Sequence, residues 1–150
     1  KFTNMRMQEG NVIKKDLEER IKKVEDNIKK ISEYSSGLVS EYIVKLENRI
    51  NEILKTDVVD KNRLAQEIVI YSDKCSVEEE LTRLKSHIIQ FRELIDKDEP
   101  VGKRLDFLIQ EMNREVNTIG SKSGNIEITN SVVELKTVLE DIREQIQNIE

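Results

Sequence analysis

The segment Gly102–Lys122 holds the densest set of chemically useful side chains in this 150-residue sequence. Placed on a helix, Asp106, Gln110, Asn113 and Asn117 follow one another at spacings of 4, 3 and 4 and share one stripe. Glu111 and Glu115 form a second stripe, with Arg114 close to both. Solvated helix faces are usually filled with Glu and Lys, and asparagine inside a helix costs propensity, so two of them imply partners for their side chains. Carboxylates and amides near one point suit a hard divalent cation, Mg²⁺ or Mn²⁺, which makes Asp106, Glu111 and Glu115 candidate ligands. Lys103, Arg104, Arg114 and Lys122 are placed to hold phosphates. An amphipathic helix joined to its neighbours by ion pairs gives the same pattern without any chemistry.

A second cluster is Glu79, Glu80, Arg83 and His87, flanking an apolar seam at helical spacing. His87 is the one histidine, the residue type most used for proton transfer near neutral pH, hence the default acid–base candidate; its bland alternative is a structural hydrogen bond. Zinc is excluded, because one cysteine and one histidine cannot supply three or four tetrahedral N/S ligands. No Gly-x-Ser-x-Gly elbow is present, and Cys75 reads as packing at a helix end. Gly120-Ser121-Lys122-Ser123-Gly124 lacks the order of a Walker loop and reads as a cap and turn, with Lys122 still able to meet a phosphate.

The elements that must position these groups are helices. Hydrophobic and charged residues each make up 37% of the chain, with five glycines and one proline, too few turn-formers for a fold of many short strands. The fold class expected is all-α, a hairpin or bundle of long helices with heptad-like seams. Leu17, Ile21, Val24, Ile28 and Ile31 make one seam. It resumes one position out of phase as Val39, Ile43, Leu46, Ile50 and Ile53, which predicts a kink or break at Ser35-Ser36-Gly37. A shorter helix spans Asp60 to Asp73. Ser76-Val77-Glu78-Glu79 reads as a capping box opening a helix with Leu81, Leu84, Ile88, Phe91 and Ile95, which stops before Asp96-Lys97-Asp98-Glu99-Pro100. The next helix buries Leu105, Leu108, Ile109, Met112, Val116 and Ile119 and closes at Gly120 as its C′ residue. The last carries Val132, Val133, Leu135, Leu139, Ile142, Ile146 and Ile149. The Leu17–Ile31 and Leu135–Ile149 seams look too narrow to be sealed within one chain, which predicts a homo-oligomer.

The net charge of −5 gives no global field for nucleic acid or an anionic membrane, so any such binding needs a local patch. A single cysteine suits a reducing cytoplasm. No apolar run reaches the roughly 18–20 residues that span a bilayer, and no secretory pattern opens the chain. Beginning at Lys1, the sequence reads as one helical domain, residues 1–150, of something longer.

The run GKRLDFLIQEMNREVNTIGSK, residues 102–122, resembles the signature of the YicC/YloC family of bacterial proteins. So do Met5-Arg6-x-x-Glu9-Gly10, Glu79-Glu80-Leu81-x-Arg83-Leu84-x-Ser86-His87, and the ending Val133-Glu134-Leu135-Lys136 with Ile142 to Glu150. The likeness covers the C-terminal half of such proteins, so their α/β N-terminal domain is absent from this chain. The resemblance implies a cytoplasmic, divalent-metal-dependent endoribonuclease that forms ring-like homo-oligomers, hexamers in the family. Mg²⁺ or Mn²⁺ on Asp106, Glu111 or Glu115 would then activate water, with Glu111, Glu115 and His87 as catalytic candidates and Arg104, Arg114 and Lys122 holding RNA. The rival reading is a non-catalytic helical oligomerisation or interaction module.

Overall fold

The computed structural model describes residues 2–54, 60–97 and 100–149, with side-chain surroundings for 10–53, 60–97 and 100–148. Every regular element among them is a helix: α1 (Phe2–Leu54), α2 (Lys61–Cys75), α3 (Glu78–Ile95), α4 (Gly102–Lys122) and α5 (Ile126–Ile149). The expected all-α class holds. The Asp98–Glu99 part of the predicted break and the Ile149 side chain lie outside the described residues.

The first part of α1 packs on α5, α5 on α4, α4 on α3, and α3 back on α1, closing a four-helix bundle. Its core takes one stripe from each helix. Leu17, Ile21, Val24 and Ile31 of α1, Leu84 and Phe91 of α3, Leu105, Ile109 and Met112 of α4, and Leu135, Leu139 and Ile142 of α5 are all fully buried. Burying one such side chain contributes roughly 1.5–3 kcal/mol. Ion pairs lace the rim: Arg20 joins Asp16 to Asp141 of α5, and Arg92 of α3 joins Glu18 and Glu25 of α1.

The structure corrects five expectations. First, α1 is a single helix of 53 residues, about 80 Å long at 1.5 Å per residue. It runs unbroken through Ser35-Ser36-Gly37, and the Ser35 and Ser36 hydroxyls donate to the Ser32 and Glu33 carbonyls of the same helix. The phase shift marks a change of partner instead. Leu38 is the last α1 residue in the core, and beyond it the helix turns the face with Val39, Tyr42, Ile43 and Leu46, all half-buried, toward α2. Together they make an arm, in which α2 has no fully buried residue.

Second, Ser76 does not cap α3. It ends α2, while Val77 holds the N-cap position without a side-chain cap, its own side chain drawn into the core. Third, α4 continues past Gly120 to Lys122; Gly120 is a contact point, where an added Cβ would lie 3.3 Å from Val132 Cγ1 of α5. Fourth, Val133 is 60% exposed, and Ile128 and Val138 take places in the core. Fifth, the described residues of both seams expected to need another chain, Leu17 to Ile31 and Leu135 to Ile146, are buried within this one, because α1 and α5 are neighbours.

Candidate functional site

The α3 and α4 helices are separated by only six residues in sequence and run antiparallel, and two cross-helix ion pairs fix their register. Arg83 of α3 reaches Glu115 of α4 at 3.5 Å, and Lys122 of α4 reaches Glu80 of α3 at 2.8 Å. The two clusters distinguished in the sequence therefore share one face. On α3 it carries Glu80, Arg83 and His87, a stripe by their 3 and 4 spacing; on α4 it carries Glu111, Glu115, Thr118 and Lys122. The register sets His87, one turn beyond Arg83, level with the turn of α4 that holds Glu111. Glu79 extends the face at its open end, 3.5 Å from Arg83.

The carboxylates differ sharply in environment. Glu80 is 2% exposed and Glu115 6%, which is tolerable for a charge only with a cation beside it. Burial pushes the Glu80 carboxyl up. The hydrogen bond from Lys122, its own backbone N–H and the nearby charges of Lys122 and Arg83 outweigh that and hold it below the usual range. Lys122 also donates to the Ser76 carbonyl at the end of α2, tying the arm to the bundle. Glu111 is half-buried and 3.9 Å from Arg114, whose side chain is 76% exposed. Two buried atoms on this face, Glu80 Oε2 and His87 Nδ1, have no hydrogen-bond partner among the described residues.

The other sequence candidates sit apart. Asp106 accepts from Gln110 at 3.0 Å and pairs with Arg143 of α5 at 3.6 Å. Nine residues at 100° each place it half a turn around α4 from Glu115, so Asp106 and Glu115 cannot share one ion. Among the described residues no three His, Cys, Asp or Glu side chains group closely enough to hold a metal. Glu111 and Glu115 alone remain on one face; that suits Mg²⁺, which uses one or two carboxylates and takes its other ligands from water and phosphate. Arg104 is exposed at the far end of α4. Sequence reasoning placed Glu80 and Arg83 beside His87 but did not see them facing Glu115 and Lys122. The available signal was their alignment across a short antiparallel connection.

Comparison with known proteins identifies a family. A family model described as "Endoribonuclease YicC-like, C-terminal" matches residues 31–150. A "Probable endoribonuclease YicC" of Clostridioides difficile is 53% identical over 151 residues, which take in 100% of this chain and 52% of that protein. One of the same name from Haemophilus influenzae is 35% identical over 149 residues, 99% of this chain and 51% of its own length. The chain thus spans about half the length of these relatives.

Proposed function

Since the chain belongs to the YicC-like endoribonuclease family, matching its C-terminal model, we propose that it is the helical half of a divalent-metal-dependent endoribonuclease whose active site includes the shared face of α3 and α4. The observation that carries this reading is that two buried atoms of α3 on this face, His87 Nδ1 level with Glu111 and Glu80 Oε2 two turns away beside Lys122, have no hydrogen-bond partner among the described residues. Buried polar atoms are nearly always satisfied, and exceptions cluster where a ligand or reaction supplies the partner.

In this reading Arg114, 76% exposed at the edge of the face, takes the RNA backbone, with Lys122 and Arg104 as further phosphate contacts along the helix. His87 exchanges a proton at its ring nitrogen with the attacking or leaving oxygen. Arg83 holds Glu115 in place. A bound Mg²⁺ or Mn²⁺ would supply an activated water and charge for the scissile phosphate; Glu111 and Glu115 would hold it, and Asp106, turned to Arg143, would not. The family's ring assembly and cytoplasmic location belong to the same proposal. No helix among the described residues is long and apolar enough to cross a membrane.

A crystal soaked in Mn²⁺ tests the metal part: anomalous density beside Glu111 and Glu115 is expected, and density elsewhere or nowhere would move the metal off α4. The rival reading, an interaction module without chemistry, is favoured by one specific observation: Asp106, Glu115 and Glu80 are each already paired with a cation of a neighbouring helix. It predicts that substituting these residues costs stability and leaves cleavage intact.

A further inference from the structure

The Tyr42 and Tyr71 rings stack face to face where the arm meets the bundle, centroids 3.7 Å apart and planes 7° from parallel. They form one wall of a cavity of about 240 Å³ shared by α1, α2 and the loop between α4 and α5. That is below the roughly 300–1,000 Å³ of pockets for larger ligands, so it has room for one flat ring system and none for a duplex. Its other walls offer the groups a nucleotide uses: the Lys45 ammonium for a phosphate, the Glu41 carboxylate as an acceptor for an exocyclic amine, and the Asn125 amide. Asn125 Oδ1 is engaged in capping α5 through Glu127 N and Ile128 N, which leaves its amide nitrogen as a donor. Gly124 borders open space, since a Cβ built there meets no atom within 4 Å.

The cavity adjoins the Lys122 end of the α3/α4 face. Lys122 immediately precedes the loop that lines it, and the Lys122 ammonium bonds the Ser76 carbonyl, next in sequence to Cys75 of the cavity wall. We propose that this cavity is a base-stacking subsite, in which the Tyr42–Tyr71 pair receives one unpaired base of a single-stranded RNA while Lys45 takes a flanking phosphate. The inference rests on the endoribonuclease reading for the identity of its ligand. Aromatic platforms are the common means of holding single strands without sequence preference, because every base presents a π-face.

The test uses labelled octa-adenylate and a matched strand of abasic sites, with the same phosphates and no bases, titrated into the 150-residue chain without metal. The wild type is expected to bind octa-adenylate at least about tenfold more tightly than the abasic strand. Tyr42→Leu and Tyr71→Leu should each erase that preference, whereas Tyr42→Phe and Tyr71→Phe, which keep the ring, should retain it. The Phe variants also control for a loosened arm. Because the chain has three tyrosines and no tryptophan, tyrosine emission quenched by octa-adenylate and not by the abasic strand gives a second readout. Equal binding of both strands, no binding of either, or Leu variants that behave like Phe variants would each overturn the subsite. Base-dependent binding that survives in Glu111→Gln and His87→Ala chains, when those changes leave RNA cleavage by the full-length protein unaltered, would instead sink the active-site reading and leave the subsite standing.

Discussion

The Glu80 carboxylate is buried, and Lys122 answers one of its two oxygens. Removing one partner of a fully buried ion pair costs about 3–5 kcal/mol. The Lys122 side chain is 30% exposed, so Lys122→Met should cost less, about 1–3 kcal/mol in a thermal melt at neutral pH. The sign of the pH effect follows from the direction of the shift. Glu80 is held below the usual carboxylate range when folded, so its contribution is complete above that range and fades as pH falls through the lowered value. The stability gap between wild type and Glu80→Gln should therefore shrink as pH falls below about 5; a gap that widens on acidification contradicts the Glu80–Lys122 account. At this scale the sequence showed which residue types cluster on each helix. It could not show that Glu115 and Arg83 meet, because one-helix periodicity carries no information about which turn of the next helix lies opposite.

Helix periodicity reports the direction of burial, not the path of the backbone. The spacing through α1 changes phase near Gly37, and the helix simply exchanges the bundle for α2 as its partner. Gly37 has no atom within 4 Å of an added Cβ, so Gly37→Ala should raise stability by about 0.5–1 kcal/mol, the usual gain for alanine over glycine inside a helix. A loss on thermal denaturation would mean that the helix needs a bend there. Gly120, also inside a helix, differs because Val132 of α5 crowds it at 3.3 Å, and the same exchange there sets helix propensity against packing. The capping-box reading failed for a related reason: Val77 gains more from entering the core, at 1% exposed, than Ser76 would from a cap worth about 1 kcal/mol.

Taken whole, the molecule is a sealed bundle with a projecting arm, and the seams that suggested other subunits close on each other. Apolar surface is left on the arm, where Val44, Ile53, Val69 and Ile70 are each 47–68% exposed. If rings form, this is the surface of the described residues best suited to build them. Sedimentation of the full-length protein with Val44→Glu and Val69→Glu should then show a smaller mass than wild type, and an unchanged mass would place the contacts elsewhere. The bundle's role in the account is to hold two helices rigidly enough that His87, Glu111 and Arg114 act on one phosphate. The most direct measurement is RNA cleavage by full-length protein carrying Glu111→Gln or His87→Ala, under single-turnover conditions with saturating Mn²⁺. Loss of a general acid–base or metal-binding side chain should lower the rate by about 10²–10⁴-fold, with helical content and assembly unchanged. Wild-type cleavage rates in both variants would contradict the assignment of the active site to this face.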